Sequence, residues 1–232
     1  MVLLMLGTVL VGSQPRSASA ADPFSVIATV DVGINPFGDT ISPDGATVWV
    51  ANSGTVTSNS NKVTVLDAST FAILSRITVG RFPEDIAFAY SGSQASVTNS
   101  SDATVSIIST ATRSVTQTVS LAPVPMEFPF GIIASRDSTK LFVTSAGGQS
   151  DISLQNIAVL NNSNPATVLL DGGIRVQGFT GRSALTPDGA LLVVPLSHGG
   201  GPPEVLFVDP ATNAIVGHLQ LLDLMTNEAS AR

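Results

Sequence analysis

Short apolar stretches alternate with turns rich in Gly, Pro and Asp along most of this chain. Residues 27–32 alternate apolar and polar side chains, which is typical of a β-strand with one buried face. The apolar segments 47–51, 63–66 and 72–79 follow at short intervals, each after a turn. No segment has the spacing of a long amphipathic helix. The pattern therefore predicts an all-β chain.

The strand and turn pattern repeats along the chain. Gly33 and Gly80 stand 47 residues apart, and Pro36, Pro83 and Pro129 follow at matching offsets. Four short strands in roughly 45 residues are typical of one propeller blade. A β-sandwich also has many short strands, but the same turn chemistry would not return in step. We predict a β-propeller of about four blades with four antiparallel strands each: blades 33–79, 80–121, 123–170 and 173–221, with 25–32 as a leading outer strand.

The repeats also carry a family resemblance. The sequence VWVAN at 48–52, preceded by SPDG at 42–45 and followed by VTVLD at 63–67, resembles the YVTN β-propeller repeat. SVTN at 96–99 and FVTS at 142–145 keep part of the motif, and VVPL at 193–196 has drifted. The resemblance implies a seven-bladed, exported or surface-associated protein, with lactonase-type propellers among its relatives. Because only four blades are present, we expect a partial propeller, open or truncated from a longer one.

Charge and composition narrow the possible partners. The 232 residues include 10 basic and 17 acidic residues, a net charge of −7, and the basic residues are scattered singly. This argues against nucleic acid as a partner, which needs clustered Lys and Arg. Cysteine is absent, which excludes disulfides and thiolate chemistry.

The first twenty residues predict export. The apolar run 2–11 is far shorter than the roughly 20 residues that span a bilayer. Ala18 and Ala20 form the small-residue pattern of a signal peptidase site, with cleavage before Ala21. We predict a signal peptide at 1–20 and a propeller domain at 21–232. The mature chain would have no transmembrane helix and would be secreted, periplasmic or on the cell surface.

The candidate site lies where the loops leading into the innermost strands gather at one end of the propeller axis. Four carboxylates on these loops would make an acidic mouth that holds a cation or a polar ligand. Aligning the blades on their prolines places an arginine at the position of Asp85 in the fourth blade, and a histidine loop falls on the same face. The alternative is that the carboxylates only bind turn amides or face water. The predicted ligand-binding residues are Asp39, Glu84, Asp85, Glu127, Arg182 and His198.

No catalytic constellation is evident, since zinc-hydrolase and esterase motifs are missing. We therefore predict an exported, non-catalytic scaffold that binds a protein, peptide or small polar ligand. It would need no cofactor, and no motif supports a metal, although a divalent cation is possible. The competing prediction is a lactonase-type propeller hydrolase that uses central carboxylates or a bound divalent metal.

Overall fold

The fold is an array of four antiparallel sheets, seen in a computed structural model that describes residues 26–55, 57–124, 126–147, 156–176, 178–197 and 202–220. Blade 1 contains β1 (Pro36–Ile41), β2 (Thr47–Thr55), β3 (Ser58–Asp67) and β4 (Ile73–Thr78). Blade 2 contains β5 (Pro83–Phe88), β6 (Gln94–Asn99), β7 (Thr104–Ser109) and β8 (Ser114–Ser120), with a 3₁₀ turn at Ser100–Asp102. Blade 3 contains β9 (Pro129–Ala134), β10 (Lys140–Ser145), β11 (Asn156–Asn161) and β12 (Leu169–Arg175). Blade 4 contains β13 (Phe179–Thr180), β14 (Ala184–Leu185), β15 (Leu192–Ser197), β16 (Glu204–Asp209) and β17 (Ala214–Gln220).

Each blade is a meander in which neighbouring strands in the chain pair side by side. The order is β1-β2-β3-β4 in blade 1 and is repeated in blades 2 and 3. In blade 4 both β13 and β14 pair with β15, so its innermost strand is interrupted. This architecture confirms the predicted all-β fold with four blades of a partial β-propeller. No helix in the described part of the chain is long and apolar enough to cross a membrane.

The core consists of three apolar layers, one between each pair of successive blades. Trp49 is fully buried between blades 1 and 2, where its ring meets Phe88 edge-to-face at 5.3 Å. Leu141 and Val143 of blade 3 pack against blade 2, and Phe142 points to the opposite side and packs against blade 4. Alternate residues of one strand therefore serve two different interfaces, which explains why the middle strands read as continuous apolar runs.

The loops leading into the innermost strands have a repeated backbone conformation. A residue with positive φ precedes the inner strand of each of the first three blades, and its carbonyl accepts a hydrogen bond from the hairpin that joins the second and third strands. The three pairs are Asn35 (φ 52°) with the Ser53 amide, Phe82 (φ 58°) with Ser100, and Phe128 (φ 50°) with Ala146. This bond ties two loop sets together at one end of the blades.

The blade boundaries differ from the prediction at two places. Residues 26–33 have no strand, although 25–32 were expected to be a leading outer strand. A strand exists only when a neighbour accepts and donates its backbone hydrogen bonds, and each described sheet already has its own outer strand. The outer strand of blade 3 runs through the expected break at 170–173. Gly172 stands at φ 124° inside β12, where the register with β11 shifts, so this glycine marks a bulge and not an end.

Residues 52–61 are rich in polar side chains, and most of them belong to the β2–β3 hairpin. The expected signal peptide at 1–20 lies outside the described residues.

Candidate functional site

The innermost strands of blades 1, 2 and 3 approach one another at backbone distance. A Cβ added to Gly38 of β1 would lie 2.1 Å from the Glu84 carbonyl oxygen of β5. A Cβ added to Gly131 of β9 would lie 2.6 Å from the Thr144 hydroxyl and 3.2 Å from the Arg182 Cα. Glycine is required at both positions because no side chain fits there. Gly38, Asp85 and Gly131 each stand two residues after the proline that begins the inner strand, and of the three only Asp85 has a side chain.

Arg182 extends from the segment between β13 and β14 towards these strands. Its Nη2 lies 3.4 Å from Asp85 Oδ1 and 3.4 Å from the Glu84 carbonyl oxygen. Its guanidinium carbon lies 5.8 Å from the ring centre of Phe37 and 5.9 Å from that of Phe130. The two rings meet edge-to-face at 5.7 Å. Arg182 is thus held by a carboxylate, a carbonyl and two aromatic rings, the kind of contacts that a planar guanidinium makes well.

Glu84 is the most perturbed carboxyl group of this region. It is only 7% exposed, and its Oε2 lies 3.5 Å from the hydroxyl of Ser53, which itself donates to the Pro83 carbonyl at 2.7 Å. Burial raises the pKa of Glu84 to about 7, because the charged form loses its hydration. The Ser53 hydrogen bond and the Arg182 charge oppose this rise, and the Asp85 charge adds to it.

Asp85 is adjacent in sequence but lies in a different environment. Burial again raises its pKa, while the Arg182 charge and the Ile132 amide, 3.2 Å from Oδ2, favour the ionised form. The charge of Asp39 raises the pKa of Asp85 slightly further. The two neighbouring carboxyl groups thus differ in their partners: Asp85 pairs with a guanidinium, and Glu84 contacts a hydroxyl.

The structure brings together some of the predicted site residues. Glu84, Asp85 and Arg182 form one cluster, and exposed Asp39 is close enough to influence Asp85. Glu127 lies half-buried in the loop before β9, where its carbonyl accepts a hydrogen bond from the Ser145 hydroxyl. His198 lies outside the described residues. We call the cluster of Glu84, Asp85, Arg182, Phe37 and Phe130 the axial cluster.

The charge of the axial cluster is mixed, because the Arg182 guanidinium lies beside the Asp85 carboxylate. Arg182 partly neutralises the carboxyl groups, and no three metal-ligating side chains come together among the residues that the structure describes. Phe37, Phe130 and Ser53 were not among the ligand-binding residues predicted from the sequence. Nothing in the sequence indicates that the Ser53 hydroxyl meets Glu84, because 31 residues separate them.

The axial cluster is suited to binding a polar group that lies beside an apolar surface. The Arg182 side chain is 43% exposed, and Phe37 is also exposed. Both polar contacts described for Arg182 use Nη2, whereas a guanidinium has five N–H donors. Donors therefore remain for an incoming oxygen acceptor.

No protein-family model matches the chain, and no curated protein matches it either. Several solved structures are similar. Hydrazine synthase of Kuenenia stuttgartiensis matches with a TM-score of 0.71 at 23% identity, over 85% of this chain and 52% of that one. A putative 6-phosphogluconolactonase from Bacteroides uniformis matches with a TM-score of 0.64 at 16% identity, over 80% of this chain and 55% of that one. The Cps50 (Swd1) β-propeller domain of Myceliophteria thermophila matches with a TM-score of 0.61 at 10% identity, over 84% and 58%.

This chain thus spans somewhat more than half the length of those three chains. Identities of this size show a shared fold and carry no activity with them. The similar structures and the four meander sheets together establish a partial β-propeller architecture.

Proposed function

We propose that this chain is a propeller scaffold that binds a polar, oxygen-rich ligand at the axial cluster and catalyses no reaction there. The observation that carries this proposal is the position of Arg182 against the rings of Phe37 and Phe130, with its guanidinium also against Asp85. A half-exposed guanidinium held in place loses little side-chain entropy when it accepts a ligand. A carboxylate or hydroxyl-rich group would take the remaining N–H donors, and the exposed Phe37 ring would cover an apolar part.

A second candidate function is a lactonase-type hydrolase. The specific observation in its favour is Glu84, whose pKa of about 7 suits a general base at neutral pH. The fold is also similar to that of a putative 6-phosphogluconolactonase. Against this candidate, Glu84 is nearly fully buried, and the described hydrogen-bond partner of its carboxyl group is Ser53. A base must be within reach of the proton that it removes.

Gluconate and its δ-lactone are suitable probes, since one is a polyhydroxy carboxylate and the other its hydrolysable form. We expect calorimetric titration to detect gluconate binding by the parent and at least about tenfold weaker binding by Arg182→Gln. Arg175→Gln is the matched control, because Arg175 is exposed on the outer strand of blade 3. Equal affinity of the parent and Arg182→Gln, or no binding by either, contradicts a gluconate-like ligand at the axial cluster.

The lactone separates the two candidate functions. If the chain is a scaffold, the lactone opens at the buffer rate with or without the protein. If it is a hydrolase, the parent accelerates the opening and Glu84→Gln abolishes the acceleration while keeping its fold, as checked by circular dichroism. Such a result would replace the scaffold proposal with the hydrolase.

We also propose that the chain is an exported repeat protein of the YVTN type. The buried Asn99 of the second motif copy supports the assignment to the YVTN type. Its amide donates to Thr104 at 3.0 Å and to Ser106 at 2.9 Å and so orders the β6–β7 hairpin. Mass spectrometry of the mature N-terminus after expression in a secreting host tests export. A first residue of Ala21 is the expected result, and an intact N-terminus retained in the cytoplasm would contradict it.

A further inference from the structure

The turn that follows the innermost strand has the same form in all four blades, with one exception. In each turn an amide donates to the carbonyl three residues earlier at 2.7–2.8 Å, at 42–45, 89–92, 135–138 and 186–189. The donor is a glycine with φ of 72–74° in three blades, but in blade 3 it is Ser138, with φ 60°. This conformation is uncommon for a residue with a side chain, so the serine needs a compensating contact.

Ser138 makes this contact with blade 2. Its hydroxyl oxygen accepts a hydrogen bond from the Tyr90 amide at 2.8 Å. Tyr90 stands at the turn position that is proline in blades 1 and 4, and it is the only tyrosine of the chain. It is 53% exposed. Two departures from the repeat therefore meet at the junction of blades 2 and 3 and hold an aromatic residue at the surface.

Two buried amide side chains lie at the same junction. Gln94 and Asn162 are 5% and 4% exposed, and neither position has an amide in another blade. Strand register gives the residues that take their places, which are Thr47, Lys140 and Leu191 for Gln94, and Ala68, Thr110 and Pro210 for Asn162. Four positions that break the repeat thus gather at one junction, as is typical of a functional site.

The hydrogen bonds of the two amides fix which of their atoms is left over. Asn162 Nδ2 donates to the Ser138 carbonyl at 2.8 Å, so Asn162 Oδ1 is the acceptor that faces Gln94 Nε2 at 3.0 Å. Gln94 Oε1 is then buried without a hydrogen-bond partner in the described part of the chain. A buried amide oxygen of this kind requires a donor.

These residues line a cavity of about 320 Å³, within the size range of small-ligand sites. Its wall carries one cation, Arg136, and one anion, Asp137, and both are already engaged. Arg136 donates to a carbonyl of blade 4, and Asp137 accepts hydrogen bonds within its own turn. The cavity therefore has no net charge, and a ligand that only accepts hydrogen bonds, such as phosphate, leaves Gln94 Oε1 unsatisfied.

We propose that this cavity, which we call the blade 2–3 groove, binds a neutral saccharide. Sugar hydroxyls both donate and accept, so one can donate to Gln94 Oε1 and another can accept the proton of the Ser138 hydroxyl. The terminal torsion of Gln is soft, so a slight rotation turns Oε1 towards a bound hydroxyl. The apolar C–H face of the sugar would cover the exposed Tyr90 ring.

The blade 2–3 groove is separate from the axial cluster. Neighbouring strands are antiparallel, so the turns after the innermost strands lie at the opposite end of the blades from Phe37, Glu84 and Phe130, which stand at the starts of those strands. The saccharide site therefore does not depend on the ligand proposed for the axial cluster.

The single tyrosine makes the test specific. With 3-fluorotyrosine in place of tyrosine, the whole 232-residue chain gives one fluorine NMR signal, from Tyr90. The probes are maltose, cellobiose, lactose and N,N′-diacetylchitobiose. We expect at least one of them to shift this signal in a saturable manner, and sodium phosphate at the same concentration to leave it unchanged. No shift with any of the four sugars, or an equal shift with phosphate, would overturn the proposal.

Calorimetric titration with the sugar that binds then tests the residues. Tyr90→Ala should weaken binding by at least about tenfold, whereas Tyr90→Phe keeps the ring and should stay within about threefold of the parent. Phe71→Ala is the matched control, because Phe71 is an exposed aromatic residue at the same end of blade 1 and outside the groove. Arg182→Gln should bind the sugar as the parent does. Unchanged binding by Tyr90→Ala, or equal weakening by Phe71→Ala or Arg182→Gln, would place the sugar elsewhere and overturn the proposal.

Discussion

Replacing Glu84 by Gln should raise the stability of the protein at about pH 8 and leave it nearly unchanged at about pH 4. In the folded chain the carboxyl group is buried and its pKa is raised from 4.5 to about 7. In the unfolded chain it ionises near pH 4.5. Between these values the folded state binds more protons than the unfolded state, so the contribution of Glu84 to stability is fully present below pH 4.5 and is lost as the pH rises through 7.

The size of the effect follows from the shift. Each pKa unit corresponds to about 1.4 kcal/mol, so a shift from 4.5 to about 7 corresponds to about 3 kcal/mol. Water reaches the neighbouring Arg182 and screens part of the cost, which reduces the expected difference to about 2 kcal/mol. Gln has nearly the same shape, carries no charge and has an amide N–H that can donate to the Ser53 hydroxyl oxygen, whose own proton goes to the Pro83 carbonyl.

The chain supplies its own probe for this experiment, because Trp49 is the only tryptophan and is buried between blades 1 and 2. Urea unfolding followed by tryptophan fluorescence at several pH values gives the free energy of unfolding of the parent and of Glu84→Gln. Asp85 titrates in both proteins, and its charge is one cause of the raised Glu84 pKa, so the difference in stability reports Glu84 together with its coupling to Asp85. If the two stabilities run parallel across pH 5 to 8, Glu84 does not hold its proton in the folded state and the reasoning is refuted.

Two further substitutions test the packing. Trp49→Ala should lose about 3–5 kcal/mol of unfolding free energy, measured by circular dichroism, because it empties the layer between blades 1 and 2, whereas Tyr90→Ala on the surface should stay within about 0.5 kcal/mol. A similar loss in both variants would show that Trp49 is not a core residue. Gly80→Ala should lose about 1–3 kcal/mol because its Cβ would lie 2.6 Å from the Asn99 side chain. Adding Asn99→Ala should recover part of that loss, and strict additivity would mean that the two residues do not touch.

Much of the architecture was predictable because the repeats share the same turn-forming residues. In the Ser-x-Asp and Thr-x-Asp turns that begin at Ser42, Ser135 and Thr186, the hydroxyl donates a hydrogen bond to the carboxylate of the Asp two residues later, at 2.5–2.6 Å. Such turns are local, so the sequence shows them directly. The boundary expected between blades 3 and 4 at 170–173 falls inside β12, where Gly172 forms a bulge, because a glycine within a strand and a glycine after one look alike in sequence.

The site was only partly predictable. Aligning the blades placed Asp85 and Arg182 at equivalent positions, and the structure joins them in an ion pair. The stacking of Arg182 on Phe37 and Phe130 depends on three different blades and leaves no local signal. The interrupted inner strand of blade 4 was also unforeseen, since the last repeat is longer than the others and its motif has drifted. Contacts between distant segments are set by the packing of whole sheets.

Gly33 and Gly80 each lie against a buried asparagine, so the size of the residue at the glycine position limits the size of the residue at the asparagine position. A Cβ on Gly33 would lie 3.1 Å from Asn52 Cγ, and Gly80 faces Asn99 more tightly still. At the corresponding sequence positions in blade 3 a methionine, Met126, stands in place of the glycine and a serine, Ser145, in place of the asparagine, so one residue is larger and the other smaller. During evolution the glycine position and the asparagine position of a repeat should therefore covary. A larger residue at the first position should be accompanied by a smaller residue at the second.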